Sequence, residues 1–309
     1  MRRHSSPKNS GTAKYVLIGM LFLILAGSSY LVMNTFFAQQ QERTPSVKKQ
    51  ASVKTHPSIS KVETSTEVAT SNSSVQQSSE SELQPAVTAL KENAEQVYYG
   101  VHYFKQSKDI SSNNSAPTTA ASVIKVFIME YALTQAEPSE VIQGKPLNDW
   151  LVPMIQQSDN EAANVLMDHF GMEELNAFFH AKGYMDTRLE RRMLDDEARS
   201  QGKENYTSLN DCLAFLKQLY QQRETYPQSI MFDIMKGQTL RTKIPSKLPV
   251  DSMVANKTGE LDDTENDIGL VLSEMNPFAI VVLTKNFKSV EGIRTAIGEV
   301  ALAATETDQ

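Results

Sequence analysis

Residues 252–284 read SMVANKTGELDDTENDIGLVLSEMNPFAIVVLT. Three runs in this stretch are rich in aliphatic and β-branched residues, and Asp, Gly, Asn and Pro punctuate the gaps between them. Such runs predict three strands, over Ser252–Lys257, Ile268–Ser273 and Phe278–Thr284, joined by short turns. Far upstream, VYYGVHYF (Val97–Phe104) predicts a fourth strand. Between these ends lie helical patterns. Ala121–Thr134 is apolar around most of its circumference, the mark of a buried helix. Trp150–Gln156, Glu161–Phe170 and Glu173–Lys182 follow, and Ser208–Gln221 carries Leu209, Leu213, Leu216 and Leu219 near one stripe. Arg188–Tyr206 is charged and irregular, a long loop or a poorly patterned helix. Ser289–Thr305 predicts a closing helix. Strands at both ends of a helical middle give an α+β fold, with an antiparallel sheet made from the chain ends and flanked by helices.

Composition divides the 309 residues in two. Residues 1–85 carry a net charge of +4 and residues 86–309 a net charge of −11. A domain this acidic lacks the clustered cations that bind phosphate, so no nucleic-acid partner is expected. Cys212 is the single cysteine and sits in the apolar helical setting DCLAFLKQL, so it is read as packing. Tyr15–Phe37 has no charged residue over 23 positions, long enough for a membrane helix. Arg2, Arg3, Lys8 and Lys14 precede it and orient the N-terminus toward the cytoplasm. The small residues Ala26, Gly27 and Ser28 would suit a cleaved signal peptide. The apolar run continues through Leu31, Val32, Met33, Phe36 and Phe37, which favours an uncleaved anchor. The expected organisation is a cytoplasmic tail (1–14), a transmembrane anchor (15–37), a disordered tether (38–85) and an extracytoplasmic domain (86–309). The tether is rich in Ser, Thr and Gln, and a flexible chain of its 48 residues reaches roughly 40 Å. The expected location is the cell membrane, spanned once.

Three short strings carry the chemistry: SVIK from Ser122, SDN from Ser158 and KTG from Lys257. Ser122 and Lys125 stand at i and i+3, so a helix would bring them to one face. A serine hydroxyl needs a base to take its proton, and a lysine serves if burial or nearby cations depress its pKa. The S-x-x-K string occurs five times here, starting at Ser5, Ser46, Ser58, Ser122 and Ser200. Only Ser122 opens a strongly apolar helix. Ser158 with Glu161 fits a capping box, and equally a proton relay beside an amide, Asn160, that binds substrate. Lys257 and Thr258 at a strand end could donate to a substrate carboxylate, and Gly259 would let a substrate backbone approach. The five histidines (His4, His56, His102, His169, His180) lack metal-ligand spacing, and no cofactor or metal is expected.

In this order, S-x-x-K, S-D-N and K-T-G form the signature of class A β-lactamases and penicillin-binding proteins. Residues 154–192, beginning MIQQSDNEAANVLMDHFG, resemble the central helices of the class A family, and VANKTGELDD resembles its substrate-binding strand. The resemblance covers about residues 95–309. It implies an antiparallel sheet packed with helices beside an all-helical subdomain, with the site between. It also implies that Ser122 is acylated, with Lys125 as base and Ser158 as relay. Asn160 would touch the acyl amide, and Lys257 and Thr258 would hold a carboxylate. The oxyanion would lie between the backbone N–H groups of Ser122 and Glu260.

Three features depart from the family pattern. The glutamate that activates water for deacylation has no counterpart, because its place falls near Met193; Asp195, Asp196 or Glu197 would have to substitute. The 36 positions from Ser122 to Ser158 make a short segment, which predicts a more open cleft. Glu260, Asp262, Asp263, Glu265 and Asp267 crowd the KTG strand and turn with no arginine nearby. Such a rim would repel anionic β-lactams and attract an amine-bearing peptide. The resulting expectation is a serine hydrolase or acyltransferase, acylated by β-lactam or peptidoglycan-type peptide substrates and slow to release β-lactams. A true β-lactamase with a displaced carboxylate and a catalytically silent wall-binding domain are the alternatives.

Overall fold

The computed structural model describes residues 83–307. The segment Tyr15–Phe37 and the tether up to residue 82 lie outside the described residues. Among the described residues, no helix is long and apolar enough to cross a membrane. The expected domain boundary at 86 falls inside a helix over 83–93, whose Leu83, Val87 and Leu90 are buried. The globular unit therefore includes at least the last three residues assigned to the tether.

Among the described residues, nine strands follow in chain order: β1 (Ala94–Tyr103), β2 (Lys108–Ser111), β3 (Thr118–Thr119), β4 (Val141–Ile142), β5 (Lys145–Pro146), β6 (Tyr206–Thr207), β7 (Met253–Leu261), β8 (Thr264–Leu272) and β9 (Phe278–Phe287). Five of them build one antiparallel sheet in the order β2-β1-β9-β8-β7. The strands from the two chain ends meet where β1 pairs β9, with Val101 opposite Ile280. Strand β9 is apolar without alternation because both of its faces are covered. Ile280 and Val282 join the core under helices 83–93 and Val290–Glu306. Ala279, Val281 and Leu283 join the larger core on the other face.

That larger core is the helical half. At its centre runs Lys125–Gln135, preceded by a 3-10 turn over Ala121–Ile124. Val123 through Met129 are all at most 1% exposed, which explains an apolar pattern without a polar face. Helices Leu147–Gln156, Asn160–Phe170, Met172–Ala181, Leu209–Gln221 and Gln228–Lys236 pack around it. Buried Glu130 is matched by Lys182 at 2.8 Å and by the Tyr184 hydroxyl at 2.9 Å, as a charge in a core must be. Segment 188–205 is a long loop with one short helix, Asp196–Ser200.

Candidate active site

The 3-10 turn carrying Ser122 is held on three sides. The Ala120 amide donates to the Asn205 carbonyl at 2.8 Å. The buried Asn266 side chain on β8 donates to the carbonyls of Thr119 (2.9 Å) and Ala120 (3.2 Å). Gly259 on β7 lies so close that a Cβ there would meet the Ala120 carbonyl at 2.9 Å and the Ser122 amide at 3.2 Å. The space left by this glycine is thus filled first by the chain itself. Ala121 is driven into the left-handed region at φ 47°, a conformation that costs an L-residue about 1–2 kcal/mol. The packing around the turn offsets that strain, and Ser122 is left half-buried at the edge of the helical half.

Lys125, one helical turn on, is fully buried. Its Nζ lies 3.0 Å from Ser122 Oγ, 2.7 Å from Asn160 Oδ1, 2.7 Å from the Ser158 carbonyl and 3.4 Å from Ser158 Oγ. Burial lowers its pKa to about 7, with the Asp159 carboxylate pulling the other way. Lys257 approaches from β7 and donates to Ser158 Oγ at 3.0 Å and to the Thr258 carbonyl at 2.7 Å. Burial first, then repulsion from Lys125 and Lys243, holds Lys257 well below the usual lysine value. The Ser158 hydroxyl therefore stands between two amines whose burial disfavours their charged forms. A neutral amine at 3.0 Å can accept the Ser122 proton, and Ser158 can pass one onward.

All eight residues singled out in the sequence lie in this region. Ser122, Lys125, Ser158, Asn160 and Lys257 share one hydrogen-bonded network. Thr258 and Gly259 are buried on β7, and Glu260 opens to solvent. Ser122, Asn160, Met193, Asp196, Arg199, Glu204 and Glu260 line one cleft of about 330 Å³.

Two expectations need correction. Ser158 does not cap the following helix. It is itself left-handed at φ 59°, and Asp159 takes the cap, accepting from the Ala162 amide at 3.0 Å. The acidic residues after KTG are not an uncompensated rim either. Glu265 and Asp267 are buried on β8, not exposed in a turn. Lys243 pairs Glu260 and Glu265, Arg294 pairs the same two, Arg199 reaches Asp262 at 3.5 Å, and Lys285 reaches Asp263 at 3.3 Å. These cations lie far from KTG in the chain, so no local spacing reveals them.

Sequence reasoning also missed the supports of the long loop. Asn164 grips the Met193 backbone from both sides, accepting from its amide at 2.8 Å and donating to its carbonyl at 3.1 Å. Asn164 lies one turn beyond Asn160, and that spacing was the available signal. Buried Arg191 is bound to Glu204 at 2.7 Å, and the Asn205 side chain accepts from the amides of Glu190 and Arg191. Met193 itself is 7% exposed on the cleft wall. Asp195 is engaged as the cap of Asp196–Ser200, donated to by the Ala198 amide at 2.9 Å.

The sequence profile of the β-lactamase enzyme family matches residues 139–307, more than half of the chain. The chain belongs to that family. The matched range contains SDN and KTG, while Ser122 and Lys125 precede it. Among its relatives, an imipenem-hydrolyzing β-lactamase of Enterobacter cloacae is 29% identical over 177 residues, 53% of this chain. The match spans 59% of the length of that relative. A β-lactamase crystal structure from Sphaerobacter thermophilus is similar with a TM-score of 0.64 at 21% identity, covering 73% of this chain and 96% of the other. One from Chitinophaga pinensis gives 0.66 at 18% identity, covering 74% and 100%. At such identities the likeness establishes the family's fold, a sheet flanked by helices beside a helical region. What the site does rests on its own residues.

Proposed function

We propose that this β-lactamase family member is an extracytoplasmic serine acyl-enzyme former, held at the membrane through Tyr15–Phe37 and spaced from it by the tether. Its substrates are β-lactams or peptidoglycan-type peptides. The observation that carries the reading is the 3.0 Å contact between Ser122 Oγ and a buried Lys125 amine whose pKa is depressed to about 7. Neutral Lys125 takes the Ser122 proton as Oγ attacks the substrate carbonyl. The backbone N–H groups of Ser122 and Glu260 receive the oxyanion. The proton passes through Ser158 to the leaving nitrogen as the C–N bond breaks. Asn160 and the Lys257–Thr258 strand end orient the substrate.

Release of the acyl group requires a base for water, or an amine acceptor. Met193 occupies the wall where Asn164 fixes the loop, and a thioether accepts no proton at neutral pH. The reading is therefore fast acylation with slow deacylation of β-lactams. Asp196, which lines the same cleft, favours one rival: a true β-lactamase with a displaced carboxylate. A chromogenic cephalosporin separates the two. One equivalent of colour followed by a slow phase supports the slow-release reading; sustained rapid turnover supports the rival.

A further inference from the structure

Lys243, Glu260, Glu265 and Arg294 close into one ion-pair cluster beside the cleft. Lys243 Nζ lies 3.0 Å from Glu260 and 2.6 Å from Glu265, and an Arg294 guanidinium nitrogen lies 3.1 Å from Glu260 and 2.7 Å from Glu265. Two cations meet two anions, so the cluster offers no net pull on an incoming anion. The two carboxylates are unlike. Glu265 has 3% of its side chain exposed and forms a fixed, buried partner for Lys243, whose ammonium also donates to the Asn266 carbonyl at 3.1 Å. Glu260 has 40% of its side chain exposed and lines the cleft with Ser122. The place it fills on the two cations is the one a ligand could reach.

Glu260 also stands two residues beyond Thr258 on an edge strand, so the two side chains lie on one face. Thr258 is the residue expected to meet a substrate carboxylate. We propose that Glu260 determines specificity: its carboxylate occupies the Lys243–Arg294 cation pair in place of a substrate carboxylate. The site therefore acylates faster with donors that carry no negative charge at that position, such as amidated or esterified ones, and more slowly with the corresponding acids. Burial alone would raise the Glu260 pKa, but Lys243, Arg294 and Lys257 outweigh it and keep the group ionised. An anionic substrate must displace Glu260 or leave its own charge unpaired; a neutral one does neither. This inference rests on acylation at Ser122.

The test compares second-order rate constants for Ser122 acylation by a penicillin and by its methyl ester, in wild type, Glu260→Gln and Glu260→Ala. Rate constants, unlike amplitudes, do not depend on the folded fraction. The acid-to-ester ratio should rise about tenfold or more in both variants, as a partly buried cation pair becomes available to the acid. If Ser122 is labelled in all three proteins and the ratio stays within about twofold, Glu260 does not set this preference and the inference is overturned. If neither reagent labels any of the proteins, the acyl-enzyme reading fails and the inference fails with it.

Discussion

Lys125 Nζ and Ser122 Oγ stand 3.0 Å apart at the buried start of the central helix, in a network shared with Ser158, Asn160 and Lys257. The i,i+3 spacing creates the pair, and burial makes it reactive. In water the lysine would be an ammonium and useless as a base. Here its pKa of about 7 leaves a large neutral fraction near neutrality.

Acylation should therefore follow the neutral form of Lys125. Its rate constant is expected to level off above pH 7 and to fall roughly tenfold per pH unit below it. In Lys125→Arg, a guanidinium that stays protonated should slow acylation by about 10²–10⁴ above pH 7 and remove the pH dependence, so that the deficit narrows as pH falls. A flat profile between pH 5 and 8 would remove Lys125 from the role of base.

The same burial predicts how stability responds to pH. In the unfolded chain Lys125 returns to its ordinary value near 10.5 and binds a proton throughout the window above 7. The native state has lost that proton, so unfolding takes one up and stability rises with pH. Denaturant titrations from pH 7 to 9 should show wild type gaining on Lys125→Met by up to about 1.4 kcal/mol per pH unit. Parallel curves would mean that the native lysine keeps its charge.

Much of the fold is legible in the sequence. Strand β9 reads as continuous aliphatic because it is covered on both faces. The expected helices appear within a few residues of their bounds; Ser208 and Ser289, read as first helical residues, are the N-caps of theirs. The site was legible as three motifs because each lies on or borders an element that local pattern identifies: SVIK opens the central helix, SDN precedes Asn160–Phe170 and KTG lies on β7. The helix Gln228–Lys236 was missed, since it starts after a proline without a capping side chain. The first half of β8, Thr264–Asp267, looked like a turn because its polar residues are buried by partners remote in sequence: Thr284 for Asn266, Asn256 for Asp267, Lys243 and Arg294 for Glu265. Local pattern carries no record of such pairings.

Met193 offers a gain-of-function test. Met193→Glu puts a carboxylate on the cleft wall, on backbone still held by Asn164. Turnover of a chromogenic cephalosporin should rise on the order of 10²-fold through faster deacylation. Unchanged turnover with unchanged labelling would show that the missing base at this position does not limit release.

Gly259 tests the fit between β7 and the Ser122 turn. In Gly259→Ala the new methyl meets the Ala120 carbonyl, a backbone atom with little freedom to retreat. A loss of about 1–3 kcal/mol in stability is expected, together with slower acylation. A variant as stable and as reactive as wild type would mean that the turn and strand are less tightly engaged than the 2.9 Å approach implies.

The most direct measurement is intact-mass analysis with peptide mapping after exposure to a penicillin. Wild type should gain one penicillin mass on the peptide holding Ser122, and Ser122→Ala should gain none. An adduct on both proteins, or one mapped to another residue, would contradict the account.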